Sequence, residues 1–164
     1  MDPFHRDLVA LLPRLRRFAR SLTRDMSDAD DLTQVAVEHA LARRDQWRPD
    51  TNLGAWMFRI MKNAWIDETR SRTRRGRVLA AEEEGDTVAD ARAPDLDARL
   101  AIDAVERAMS NLPDDQRIAV SLVLVEGLSY REAAEVLEVP MGTLTSRLVR
   151  GRVALMDELG GASA

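Results

Sequence analysis

Apolar residues recur along this chain at steps of three and four, and nowhere alternate long enough to suggest a strand. Phe4, Leu8, Leu11, Leu12, Leu15, Phe18, Ala19 and Leu22 predict one amphipathic helix over residues 3–23, which Pro13 should kink or split. Ser27 is placed to cap a second helix, with Asp28, Asp30 and Asp31 favourably near its positive end. That helix should run to about Asp45 and bury Ala29, Leu32, Val35, Ala36 and Ala40. Trp47 to Asn52 has loop composition. A third helix should follow from Leu53 to about Arg74, with Leu53, Trp56, Met57, Ile60 and Ala64 inward and Phe58, Met61 and Trp65 on a neighbouring stripe.

Periodicity then stops. Residues 78–95 are small or acidic, contain Gly85 and Pro94, and read as a flexible linker that cannot bury enough to order itself. It resumes with Leu96, Leu100, Ala104, Val105, Ala108 and Leu112, a helix ended by Pro113. A helix from Asp114 to Glu126 should bury Ile118, Leu122 and Val125 and stop at Gly127. Ser129 and Glu132 form a capping box that opens a short helix through Leu137. Val139 to Gly142 breaks the chain tightly, and a last helix from about Thr143 to Leu159 turns Leu144, Leu148 and Leu155 inward. The expected fold class is therefore all-α: two small helical domains, residues 1–77 and 96–164, joined by a flexible acidic linker, residues 78–95.

Composition narrows the function. The 164 residues include no run long enough to cross a bilayer, and the first residues do not read as a secretory signal, so a cytoplasmic protein without direct membrane insertion is expected. There are no cysteines, which excludes disulfides, thiolate metal sites and thiol redox sensing. The net charge of −4 is unevenly spread: residues 1–58 are neutral, 59–77 carry +5, 78–99 carry −5 and 100–164 carry −4. A basic block directly before an acidic one suggests an anion-binding strip followed by a solvated segment.

Three features could carry chemistry. Residues 129–155 have the layout of a helix–turn–helix, with Ala133 and Ala134 small enough for a close helix crossing. Its second helix would present Thr143, Thr145, Ser146, Arg147 and Arg150 to a major groove; the bland alternative is an ordinary helical hairpin in an all-α core. The basic strip at 59–77, with Asn63, Trp56 and Trp65 nearby, suits unstacked DNA, or else a solvated helix end. Trp56 sits on the core stripe; periodicity assigns neither Asn63 nor Trp65. The third feature, Asp30-Asp31-Leu32-Thr33-Gln34, is by itself an acidic helix start. His5 and His39 have no ligand-spaced partners and no glycine-rich phosphate loop exists, so no enzyme, metal, cofactor or small-molecule substrate is expected.

Taken in order, these pieces resemble the sigma-70 family of bacterial RNA polymerase initiation factors, in its small extracytoplasmic-function class. Asp28-Ala29-Asp30-Asp31-Leu32-Thr33-Gln34 resembles the family's D-A-E-D-L-x-Q stretch, and the run from Leu53 to Asn63 its W-L-F-R-I-x-x-N stretch. Leu112 to Arg117, Gly127 to Ala134 and Val139 to Leu148 are similar to the family in sequence and spacing. The resemblance implies a region 2 helical bundle followed by a region 4 helix–turn–helix. It implies that Asp30, Asp31, Leu32, Gln34 and Val35 dock on core polymerase, whose clamp and flap are the expected partners. Trp47, Arg48, Asn52, Arg59, Lys62, Asn63, Asp67, Arg70 and Arg74 would meet the melted minus-ten element of promoter DNA, with Arg59, Lys62 and the arginines from Arg70 to Arg75 on phosphates. Arg131, Thr143, Thr145, Ser146, Arg147 and Arg150 would read the minus-thirty-five element. Thr145 stands where the family often has a basic residue, which alters base readout there. The acidic linker would thread the RNA exit path.

The resemblance further implies control by an anti-sigma factor in a stress or environmental response, with Met61 and Trp65 as exposed apolar contacts for it. A chain of net −4 should bind free DNA poorly and gain its grip only on polymerase. The competing readings are a stand-alone helix–turn–helix regulator and a sigma-like decoy for an anti-sigma factor.

Overall fold

Helix 1 begins where Asp2 can cap it: the carboxylate accepts from the amides of Phe4 and His5 at 2.7 and 3.3 Å, and Arg44 closes on it from outside. The computed structural model describes residues 2–76 and 96–162. Seven α-helices make up the described chain: α1 (Pro3–Leu22), α2 (Met26–Ala42), α3 (Leu53–Gly76), α4 (Leu96–Ser110), α5 (Asp114–Val120), α6 (Tyr130–Leu137) and α7 (Met141–Ala162). No strand occurs among the described residues. The expected linker, 78–95, lies outside them.

α1 runs unbroken through Pro13, so the expected split is absent. α2 is capped by Asp25, not Ser27: the Asp25 side chain accepts from the Ser27 amide at 2.9 Å, which places Ser27 inside the first turn. α2 also stops at Ala42, and a short 3₁₀ turn, Arg44–Gln46, carries the chain to Trp47. Its buried line is Ala29, Leu32, Thr33, Ala36 and Ala40, whereas Val35 is exposed. Thr33 takes the inward place because its hydroxyl donates to the Ala29 carbonyl at 2.9 Å, leaving no unpaired polar group inside.

α3 buries Met57, Phe58, Ile60, Met61 and Trp65, with Leu53, Trp56 and Ala64 half-buried against them. Met61 and Trp65 are therefore core residues and not the exposed contacts the sequence suggested. α3 has packing partners on two sides, α1 and α2 on one and α6 on the other, so both apolar stripes are covered. In α4 the expected inward positions Leu96, Leu100 and Val105 are exposed, and burial begins only at Ala108, Met109 and Leu112. The C-terminal end of α4 is held by Arg117, which donates to the carbonyls of Met109, Ser110 and Leu112 at 2.9, 3.0 and 2.7 Å. Burial lowers the Arg117 pKa, and Asp114 offsets part of that shift.

The helix from Asp114 does not continue regularly to Glu126. After Val120 it widens into a π turn, Ser121–Val125, in which the Glu126 amide donates to the Ser121 carbonyl at 3.0 Å. The wider turn carries Val125 and Leu124 out to solvent while Leu122 stays buried, which corrects the inward placement of Val125. Gly127 follows at φ 74°, a conformation glycine adopts without strain. The Ser129–Glu132 capping box is present, with Ser129 Oγ accepting from the Glu132 amide at 3.1 Å and Glu132 Oε1 accepting from the Ser129 amide at 3.0 Å. α7 starts two residues earlier than its sequence suggested, because the Pro140 carbonyl already accepts from Thr143 and Leu144.

The two helical halves pack on one another. Phe18, Phe58 and Met61 of the first share one apolar cluster with Ile118, Leu122, Leu137 and Leu144 of the second. Two seams flank that cluster. Along α1, the Glu126 carboxylate accepts from Arg17 Nε and Nη2 at 2.9 and 2.8 Å and from Arg14 Nε at 3.3 Å, and its side chain has 0% exposure. Arg14 Nη2 also donates to the Glu126 carbonyl at 3.2 Å, and Ser21 and Ser121 join through their hydroxyls. Along α3, Arg59 and Lys62 face the C-terminal end of α6.

Candidate functional site

α2 turns an acidic face outward. Asp30, Asp31, Gln34 and Val35 are exposed on it, Gln34 Nε2 donates to Glu38 Oε1 at 3.2 Å, and Leu32 points into the core beneath. A helix spacing of three and four puts those exposed residues together, so the four can be met by one partner helix while Leu32 only holds the face in place. Among the described residues no carboxylate on this face is tied to a cation except Asp28, which Arg72 reaches at 2.7 Å. That hydrogen bond to Asp28, helped by Glu68, raises the Arg72 pKa against the opposing cost of burial.

The residues expected to meet melted DNA are scattered over α3 and the loop before it. Trp47 is half-buried, its ring 5.5 Å from that of Trp56, which in turn lies edge-on to Phe4 at 6.2 Å. Arg48 and Asn52 are exposed, and Asn52 Oδ1 accepts from the Ala55 amide at 3.2 Å, so it serves as a cap for α3. Asn63, Asp67, Arg70 and Arg74 are exposed on α3. Arg72 and Arg75 are engaged by Glu68, at 3.0 and 3.4 Å, which leaves Arg70 and Arg74 as the cations of that helix end without an ion pair among the described residues. A cleft of about 890 Å³ opens there, lined by Lys62, Trp65, Arg70, Arg74 and Arg147 among others.

Arg59 and Lys62 are occupied. Arg59 Nη2 donates to the Glu135 carbonyl at 2.9 Å, and its Nε lies 3.7 Å from Glu138 Oε1. Lys62 Nζ lies 3.6 Å from Glu138 Oε2, and the lysine side chain is only 7% exposed. The sequence pointed to both cations but to neither of their partners. Glu126 and Glu138 were missed for the same reason: each lies next to a turn, and no local pattern says which cation it will meet.

The helix–turn–helix is formed by α6 and α7. Ala133 and Ala134 are buried where α6 packs, as the close crossing requires. Arg131, Ser146 and Arg150 are exposed, and Thr143 and Thr145 are half-exposed. The Thr145 hydroxyl donates back to the Met141 carbonyl at 2.9 Å. Arg147 is paired with Asp115 at 3.5 Å. The recognition face thus offers hydroxyls and guanidiniums on one side of α7, the donor and acceptor types that base edges and phosphates accept. Among the described residues no helix is long and apolar enough to cross a membrane.

Known proteins share this arrangement. Residues 8–62 match the family model described as the Sigma2 domain of PhyR, and residues 102–155 match Sigma-70, region 4. The ECF RNA polymerase sigma factor EcfG of Rhodopseudomonas palustris is 36% identical over 155 residues, 94% of this chain and 83% of that protein. The sigma factor RpoE solved with the anti-sigma factor NepR from Bartonella quintana superposes with a TM-score of 0.86 at 32% identity, covering 98% of each chain. The complex of PhyRSL with NepR from Sphingomonas sp. Fr1 superposes at 0.67 over 96% of this chain and 88% of that one; at 21% identity it speaks to the fold alone.

Proposed function

This chain belongs to the extracytoplasmic-function class of the sigma-70 family, and from that premise we propose how its surfaces divide the work of promoter selection. It is a bacterial sigma factor that joins core RNA polymerase and directs promoter recognition, melting and initiation, in a family of regulators without catalysis of their own. Residues 1–77 engage polymerase and the minus-ten element, and residues 96–164 read the minus-thirty-five element. Asp30, Asp31, Gln34 and Val35 form the polymerase-facing patch of α2, where carboxylates meet basic residues. Trp47, Arg48, Asn52, Asn63, Asp67, Arg70 and Arg74 receive the melted strand together with Arg59 and Lys62. Arg131, Thr143, Thr145, Ser146, Arg147 and Arg150 face the upstream duplex. An anti-sigma factor holds the protein inactive in the cytoplasm until a stress signal arrives; its contact surface does not include the buried Met61 and Trp65.

One observation carries this reading: a single chain pairs an exposed acidic helix face in its first half with a helix–turn–helix whose hydroxyl and arginine side chains point outward in its second. Residues 1–77 sum to +5, but the chain as a whole is at −4, and that overall charge opposes tight binding of the free protein to duplex DNA. A specific observation favours a second reading, a sigma-like decoy that captures an anti-sigma protein: the first half matches a model named for PhyR.

Run-off transcription with core polymerase on a genomic promoter library separates the readings. The wild-type chain with core should give discrete transcripts, and duplex DNA without core should give no specific mobility shift. Asp31→Arg should cut transcript yield about tenfold or more with an unchanged melting midpoint, since an exposed charge reversal of this kind acts on the contact, not the fold. A chain that binds an anti-sigma protein yet yields no transcript with core is the decoy.

A further inference from the structure

Glu138 ends α6 in the left-handed region, at φ 58°, where a side chain strains the backbone relative to glycine. It is the one non-glycine residue with positive φ among those described. Its carboxylate faces both Arg59 and Lys62, and the neighbouring Glu135 carbonyl accepts from Arg59. The C-terminal end of a helix carries partial negative charge, so α6 and Glu138 together present an anionic tip to two cations. Lys62 is nearly sealed from water, and Glu138 is its sole carboxylate partner within 4 Å among the described residues. A buried ammonium needs a counter-charge, and here the other half of the molecule supplies it.

Resting on the assignment of Arg59 and Lys62 to promoter phosphates, we infer that the α6 tip with Glu138 stands in for those phosphates and closes the free chain over its own minus-ten cations. The stand-in is exchangeable. Glu138 remains 59% exposed, its distances to both cations exceed 3.5 Å, and the Arg70–Arg74 cleft opens beside Lys62. The cleft also carries Asp67, and Asp114 and Asp115, which are paired with Arg117 and Arg147; a polyanion entering it is drawn by Arg70 and Arg74, unpaired among the described residues, and then competes for Lys62 and Arg59. Opening the α3 seam frees the minus-ten cations and the turn of the helix–turn–helix in one movement.

Glu138→Gly tests this without threatening the fold, because glycine favours the same backbone conformation. The chain has no cysteine, so Ala42→Cys and Met156→Cys, both at exposed positions, give one labelled pair for distance measurement by electron spin resonance. Glu138→Gly should shift the distance distribution toward longer separations. It should also tighten binding of a mixed-sequence single strand of about 20 nucleotides by about fivefold, read by anisotropy. Asp157→Asn makes the same change of one charge on exposed α7 and should leave both readouts at wild-type values. Either readout staying at the wild-type value in Glu138→Gly overturns the inference. Neither measurement contains polymerase, so a failed run-off assay overturns the sigma assignment while these two decide the contact.

Discussion

The α1 seam and the α3 seam join the same two halves by opposite means. At the α1 seam a carboxylate with no exposed surface is clasped by two arginines, one of them bidentate, beside a pair of linked hydroxyls. At the α3 seam a carboxylate more than half exposed stands at longer range from its cations. The first contact is short, geometrically fixed and sealed on the carboxylate side, so water and salt compete with it less than with the second. The second is open to both. A molecule built this way has an anchor on one side and a contact that can be exchanged on the other, and the shared apolar cluster between them decides how far one can move without the other.

Breaking the anchor should have the largest effect. Glu126→Ala leaves the Arg14 and Arg17 guanidiniums facing one another across the space the carboxylate filled. We expect a loss of about 2–3 kcal/mol in urea unfolding, less than for fully sealed pairs because both arginines keep partial access to water. The same substitution at Glu138 should cost a fraction of that.

A smaller lesion asks whether the seams make the halves one cooperative unit. Gly151 lies where α7 crosses α5, and a Cβ there would sit 2.7 Å from Val120 Cγ2. Gly151→Ala should destabilise by about 1–2 kcal/mol through overpacking. All three tryptophans, Trp47, Trp56 and Trp65, belong to the first half. If the anchor holds, the tryptophan fluorescence midpoint falls as far as the circular dichroism midpoint, although the lesion lies wholly in the second half. A fluorescence transition that stays in place would mean that the halves unfold separately.

The smallest effect is in acid. The Ser129 amide and hydroxyl hold the Glu132 carboxyl below its ordinary pKa. A carboxyl lowered in the folded state stabilises the fold above its unfolded pKa, and that contribution fades as pH falls through the lowered value. Melting of the wild type should therefore lose a few tenths of a kcal/mol of cap stability on acidification that Glu132→Gln does not lose. Asp2 adds to the acid sensitivity of α1. Loss of hydration raises its carboxyl, but Arg44, the His5 and Phe4 amides and the His5 ring outweigh that and hold it at about 2.

The helices, the capping box and the turn at Gly127 were legible because they depend on neighbours three or four residues away. Misplacements arose where distant packing chose the buried face. Val35 lost its inward place to Thr33, Leu96 and Leu100 are exposed among the described residues, and Met61 and Trp65 are covered by the second half. The candidate site was legible as a set of residue types on α2, α3 and α7. What the sequence concealed was that Arg59 and Lys62 are already engaged, since an ion pair 76 residues apart in one case follows from three-dimensional proximity alone.

The widened turn at Ser121–Val125 has a consequence of its own. A regular helix through that stretch would advance the phase of everything after it by about 100°. Glu126 would then swing away from Arg14 and Arg17, while Leu122, upstream, would stay in its pocket. The irregularity lets one short segment keep two appointments, one with the interior and one with its neighbour across the gap. A redesign that smoothed it into ideal geometry would gain local tidiness and deliver two sound modules that no longer recognise each other.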